Sequence, residues 1–212
     1  LGKRLVIAGA GSFGREVWQW SEHIAIENKS WDSVVFINDI DTSEKIAESQ
    51  IDCPIISNID DYTPLENDVV VCAVGNPIGK LNIVNRLKEK NVQFTNIIHP
   101  TVIIGSGVQL GIGIVLCPYT TVSVNAQLRD HVAVNICCTI GHDSKIGEGA
   151  VISAHCDITG FCEIDDGVFL GSGARLLPNS NVGSFATVGA GCVVLKEVEA
   201  YKTVVGVPAR YI

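Results

Sequence analysis

From Ile98 to Val194 every sixth residue of the chain is aliphatic, with no break and no insertion. The series runs Ile98, Ile104, Leu110, Leu116, Val122, Leu128, Val134, Ile140, Ile146, Ile152, Ile158, Ile164, Leu170, Leu176, Val182, Val188 and Val194. Four residues after each of these stands a small or β-branched residue, from Val102 and Val108 through Cys138, Ser144, Ala150, Cys156 and Cys162 to Cys192 and Val198. A fixed short repeat means stacked units that bury a shared core. A six-residue period predicts a β-helix of triangular section, with one hexad per face and about 18 residues per coil. The aliphatic side chains fill the interior, and the small residues take the tight corners.

Residues 1–96 follow a different pattern. Arg4–Ala8, Val34–Ile37, Val69–Val74 and Val92–Ile97 read as apolar strands. Helical patterns lie between them at Arg15–Glu27 and Pro77–Lys90, the latter carried by Ile78, Leu81, Val84 and Leu87. Strands alternating with helices predict a parallel sheet covered by helices. The fold class is therefore α/β plus β, with a small Rossmann-like parallel-sheet domain over residues 1–96 followed by a parallel β-helix over residues 97–212.

The turn after the first strand reads Gly9-Ala10-Gly11-Ser12-Phe13-Gly14. Glycines there allow a tight turn and close backbone approach to a phosphate seated on the following helix N-terminus. Plain packing is the alternative for such a turn. Asp39 ends the second strand where an acidic residue meets a ribose in dinucleotide folds. Asn76 follows the third strand at the same sheet end. Lys80, one helical turn later, is placed to meet a phosphate or to sit as a solvated surface lysine. The segment has room for one mononucleotide half only, so a nucleotide-sugar carrier fits better than a dinucleotide.

Composition narrows the classes. The formal net charge is −8, which disfavours bulk binding to nucleic acid or to an anionic membrane. Charged residues make up 18%, below the usual quarter or so, which suggests faces buried within the chain or between subunits. Mean hydropathy is +0.31, and no apolar run is long enough to span a bilayer. The eight cysteines contain no CxxC pair and read as reduced thiols used as small apolar residues. Together with the lack of a signal-peptide pattern, this predicts a cytoplasmic protein. The chain has no Met, so Leu1 is not expected to be the encoded start.

Of the five histidines, His23 reads as exposed on the first helix, His99 as shaping the start of the repeat, and His131 as part of a solvated coil edge. His155 has no obviously catalytic neighbours. His142 sits in Ile140-Gly141-His142-Asp143, at the outward-facing third position of its hexad. A carboxylate beside an imidazole holds one tautomer and stabilises the imidazolium. One coil later stands Gly160, whose N–H lies over His142 with no side chain in the way, a candidate donor to an oxyanion.

The repeat resembles the hexapeptide-repeat transferases, whose β-helix winds left-handed. The whole chain is similar to the bacterial sugar acetyltransferases, a group that includes sialic acid O-acetyltransferase and the bacillosamine and perosamine N-acetyltransferases. The resemblance is carried by the Gly9–Gly14 turn, Ile98-His99, Asn135, His142-Asp143 and the tail Gly206-Val207-Pro208-Ala209-Arg210. It implies an acetyl-CoA co-substrate, no metal, a nucleotide-linked amino sugar as acceptor, and a homotrimer with active sites between subunits. It implies His142 as base, Asp143 as its support and Gly160 at the oxyanion. Gly9, Gly11, Ser12, Phe13, Asp39, Asn76, Lys80 and Asn135 become candidate sugar-nucleotide contacts, and Gly160, Gly189, Gly191 and Arg210 candidate acetyl-CoA contacts. Two positions depart from the bacillosamine enzyme, which has histidines where this chain has Phe13 and Val151. An O-acetyltransferase on a sugar hydroxyl would use the same base. A zinc hydrolyase of the γ-carbonic anhydrase type needs three converging histidines, and the spacing of 131, 142 and 155 does not reproduce its close pair. A non-catalytic nucleotide-sugar-binding protein is the third class.

Overall fold

The computed structural model describes residues 2–25, 28–40 and 42–212. Its first half is built from β1 (Arg4–Ala8), α1 (Ser12–Glu22), β2 (Ser33–Ile37), α2 (Ser43–Glu48), β3 (Ile55–Ser57), β4 (Asp68–Cys72), α3 (Pro77–Glu89) and β5 (Gln93–Phe94). The stretch expected to carry the first helix to Glu27 ends outside the described residues. All five strands are parallel, in the order β3-β2-β1-β4-β5. The central β1 is covered on both faces, which is why Leu5, Val6, Ile7 and Ala8 have no exposed surface. The glycine turn after it is forced by sterics. Gly9 has φ of +108°, and a Cβ on Gly14 would stand 1.9 Å from the Gly9 carbonyl oxygen.

From Ile97 the chain winds through short strands that pair in parallel with the strand 18 residues away, as Thr121↔Thr139 and Val122↔Ile140 do; in the last coil the spacing falls to 16, so that Val198, expected at a corner, pairs with the interior Val182. Three parallel sheets result, the faces of a left-handed β-helix. Every sixth residue from Gly107 to Gly191 has positive φ, so each vertex turns on one left-handed residue. Glycine, asparagine and aspartate take such positions readily. Tyr119, His131, His155, Phe161 and Phe185 also occupy them, and there the stacked core must offset a strain of about 1 kcal/mol each. Cys138, Cys156, Cys162 and Cys192 are buried among the interior aliphatics. Ile104 departs from the expected interior placement. It lies in the first coil, where no coil stacks below, and is 42% exposed. At the other end, Thr203–Val205 extends one sheet, and Arg210–Tyr211 folds back on it as an antiparallel strand that covers its last edge.

The α/β half sits on the face that contains Ile97, Val115 and Ala133, which join one apolar cluster with Leu5, Val17, Trp31 and Val71. Two expectations are corrected at this junction. Lys80 is fully buried, and its Nζ donates to the His131 carbonyl at 3.1 Å. It is a buried tie between the two halves and has no surface to offer a phosphate. His131 is 1% exposed, its ring edge-on to Phe94 with centroids 4.6 Å apart, so it lies in a covered seam. Around them, Leu81 fills the space over Gly149, and Lys88 pairs with Glu148 at 2.9 Å. Among the described residues no helix is long and apolar enough to cross a membrane.

Candidate active site

The vertex between strands Thr139–Ile140 and Lys145–Ile146 carries His142 and Asp143. Asp143 is the left-handed corner residue, with φ of +57°. This turn brings its carboxylate back to the preceding ring, so that Oδ2 lies 2.9 Å from His142 Nδ1. The other carboxylate oxygen accepts from Asn125 Nδ2 at 3.2 Å, one coil below. The imidazole and then the Asn125 amide hold the Asp143 carboxyl below its usual range. The ionised carboxylate accepts the Nδ1 proton, which leaves the Nε2 lone pair free. The ring is half-exposed and lies edge-on to Phe161, with centroids 5.0 Å apart. Above it is Gly160, where an added Cβ would stand 2.5 Å from both Nε2 and Cε1. Only glycine leaves room for this ring. The Gly160 N–H donates to no group among the described residues. Asn125 and Phe161 were not picked out in the sequence. Their signal is the 18-residue column through Asp143.

A second concavity lies between the α/β half and the β-helix. A cleft of 300 Å3 is lined by Ser12, Phe13, Glu16, Asn135, Ser153 and Phe169, with Gly75 and neighbouring strand residues. Gly75 and Phe169 also line a 380 Å3 cleft that continues past Asn76 and Phe185. The structure thus gathers Ser12, Phe13 and Asn135 from the expected set, and adds Glu16, Ser153 and Phe169. Burial pushes the Glu16 carboxyl up. Gly11 precedes α1 as its N-cap, is exposed, and has no atom near its missing Cβ, so the backbone there is open to a ligand. Gly9, by contrast, is explained by packing against the Ala73 carbonyl, 2.9 Å from where its Cβ would be.

Two further expectations change. Arg86 grips the Asp39 carboxylate at 2.6 and 3.2 Å, and the Ile59 N–H donates to it at 3.0 Å. That bonding, led by Arg86, holds Asp39 below the usual carboxylate range and commits both of its oxygens to partners within the α/β half. Its neighbour Asn38 touches the glycine turn instead, accepting from the Ala10 N–H at 3.1 Å. Asn76 caps α3, its Oδ1 accepting from the Gly79 N–H at 2.8 Å. Its side chain is committed to the helix while its edge still lines the cleft.

Gly189, Gly191 and Arg210 lie two to four coils beyond His142. Gly189 packs under Val205, which would stand 2.9 Å from an added Cβ. Gly191 is an open left-handed corner. Arg210 is exposed, and among the described residues its guanidinium donates only to the adjacent Ala209 carbonyl. Among the described residues no three His, Cys, Asp or Glu side chains converge on a point where a metal could bind.

The two sites are not adjacent in one chain. His142 stands at the vertex shared by two faces of the triangle, and the α/β half covers the third. The base and the cleft of one chain therefore lie on opposite sides of its β-helix.

A family model for the PglD N-terminal domain matches residues 4–87. The GDP-perosamine N-acetyltransferase of Escherichia coli O157:H7 is 28% identical over 214 residues, covering 96% of this chain and 94% of that one. The acetyltransferase domain of PglB from Neisseria gonorrhoeae FA1090 superposes with a TM-score of 0.89 at 24% identity over the full length of both chains, and has also been solved in complex with acetyl coenzyme A. PerB from Caulobacter crescentus, in complex with CoA and GDP-perosamine, superposes at 0.85 with 19% identity, covering 100% of this chain and 98% of that one. At these identities the two solved structures establish the fold. The chain is thus similar over nearly its whole length to GDP-perosamine N-acetyltransferase, and its residues 4–87 match the PglD N-terminal domain.

Proposed function

We propose that the chain is an acetyl-CoA-dependent N-acetyltransferase that acts on the amino group of a nucleotide-linked 4-amino-4,6-dideoxy sugar, in the cytoplasm, for a bacterial surface glycan such as O-antigen. The observation that carries this reading is His142 with its Nδ1 held by Asp143 and its Nε2 facing the bare Gly160 backbone. Residues 1–96 would hold the sugar nucleotide and residues 97–212 the acetyl donor. Gly11, Ser12, Phe13, Asn135 and Glu16 would take the sugar nucleotide in the cleft, with the Glu16 carboxylate accepting from sugar hydroxyls.

His142 Nε2 takes a proton from the sugar amine as the nitrogen attacks the thioester carbonyl. Asp143 stabilises the imidazolium, and the Gly160 N–H donates to the oxyanion. Collapse of the intermediate breaks the C–S bond, and the imidazolium returns its proton to the CoA thiolate. Nothing in this sequence requires a metal. The CoA arm would run toward Gly189, Gly191 and Arg210. The base and the cleft face away from each other in one chain, which supports an active site assembled between copies, in a homotrimer.

The test is CoA release, read by mass spectrometry, with acetyl-CoA and a panel of UDP-, dTDP- and GDP-linked 4-amino-4,6-dideoxy sugars. Turnover on one acceptor, lost in His142→Ala, is the expected result. A folded oligomer silent on every amine but active on a sugar hydroxyl would replace the acceptor class.

A further inference from the structure

We propose that Asn125 is a positioning residue: from one coil below, its side-chain amide holds the Asp143 carboxylate in the orientation that keeps the His142 proton on Nδ1, and so leaves Nε2 open to the acceptor. The consequence for rate rests on the function proposed above; the tautomer of His142 does not.

The contact follows from the stacking of corners. Asn125 and Asp143 take the same vertex in successive coils, and both are left-handed, with φ of +59° and +57°. The coils around them are locked together: the Asn125 N–H donates to the Ser106 carbonyl and the Asp143 N–H to the Val124 carbonyl, each at 3.0 Å. Successive coils stand one strand spacing apart, about 4.8 Å. Two short side chains leaving one vertex close that gap, and Asn125 Nδ2 lies 3.2 Å from Asp143 Oδ1. An ionised carboxylate can only accept, so the amide nitrogen must be the atom on that side. The amide oxygen then lies over Gly107, where an added Cβ would stand 2.4 Å from it. Gly107 leaves room for the amide as Gly160 leaves room for the imidazole.

A carboxylate with a single partner can pivot about its Cβ–Cγ bond and trade an imidazole for water. Both side chains of the His142-Asp143 pair are partly exposed, so water competes for each. With Oδ2 on His142 Nδ1 at 2.9 Å and Oδ1 on Asn125, the same rotation breaks two bonds at once. The imidazole first and the Asn125 amide second lower the Asp143 carboxyl, and no lysine or arginine takes part. The neutrality of the donor matters. A cation there would offset the carboxylate charge and weaken its support of the imidazolium. The corner by itself also suits asparagine, which adopts positive φ more readily than most residues. Glycine serves that corner at least as well and carries no amide, so it separates the two roles.

The test is a double-mutant cycle of Asn125→Gly, Asp143→Gly and the two together, glycine being suited to both corners. Ring-nitrogen NMR reads the tautomer of the neutral His142 ring and needs no substrate. With an acceptor found in the panel above, kcat and KM are read as well. Asn125→Gly is expected to lower the share of the Nδ1–H tautomer. It should also reduce kcat about tenfold, the loss of one hydrogen bond to a charged group, with KM and the melting temperature unchanged. In the Asp143→Gly background the same change should alter neither the tautomer nor kcat, because Asn125 acts through Asp143. A wild-type tautomer in Asn125→Gly, a kcat within about twofold of wild type, or an equal loss in both backgrounds overturns the proposal. An unidentified acceptor leaves the tautomer measurement intact, so the two ideas fail separately.

Discussion

Two histidines at corners of the same β-helix have opposite surroundings. His142 is half-exposed, bonded to a carboxylate and roofed by a glycine. His131, eleven residues earlier in the chain, is sealed under the α/β half, faces Phe94, and has no partner for either ring nitrogen among the described residues. Burial first, then Lys88, pushes the His131 pKa down to about 4. An acid–base catalyst needs a partner, an approach path and both protonation states within reach. His142 has the geometry for this. His131 has none of it, and contributes shape and a backbone carbonyl to the seam.

Breaking the His142 side of this contrast should give the largest effect. His142→Asn is expected to lower kcat by about 10²–10⁴-fold with the melting temperature unchanged. A loss below tenfold would remove the ring from the chemistry. Next comes Gly160→Ala, whose new methyl would stand 2.5 Å from the imidazole. The ring must swing away from the reacting position, so kcat should fall about 100-fold, and a crystal structure of the variant should show a displaced His142. Full activity would mean that the space over the ring is not used.

The His131 side predicts stability, not rate. Its folded pKa of about 4 lies below the ordinary value of about 6.5. Its neutral form therefore supports folding above pH 6.5, and that support drains as the pH falls toward 4, amounting to about 3 kcal/mol. Urea titrations should show wild type losing that much more stability than His131→Asn over this window, while the two have equal kcat. Equal losses would mean His131 reaches water. The smallest effect is expected for Lys80→Met. Burial pushes the Lys80 pKa down to about 8, so removing the charge helps folding, but it also orphans the His131 carbonyl. The net change should stay within about 1 kcal/mol, read by the same titration.

The contrast also marks where sequence reading stops. The hexads were legible because each coil repeats the same contacts, and periodicity reports contacts that repeat. The His142-Asp143 pair was legible because its geometry is local, one corner of one turn. The burial of His131 and Lys80 depends on which face the α/β half covers, and no local pattern encodes that. In α3 the apolar residues suggested a face through Ile78 and Leu81. The buried face runs through Pro77, Lys80, Val84 and Leu87, with Ile78 67% exposed, because the lysine is the tie to the seam. The helix α2 and strand β3 were not anticipated, being too short at Ser43–Glu48 and Ile55–Ser57 to show a period. Asp39 was legible as an acidic residue at a strand end, but its grip by Arg86 joins positions far apart in the chain.

The left-handed corner at every sixth residue makes the β-helix a ruler with coarse graduations. One coil adds 18 residues and lifts the chain by one strand spacing, about 4.8 Å. Six residues more or fewer would carry everything downstream to a different face of the prism, and any other number would break the corner sequence. Insertions and deletions can therefore reset the height between His142 and Gly191, the last regular corner, only in whole coils. Fine adjustment to a new acceptor is left to side chains at the vertices and to the connecting loops of the α/β half, whose lengths obey no such rule. A lineage exploring new sugars on this scaffold should vary in length in its first hundred residues and hold its hexad count fixed.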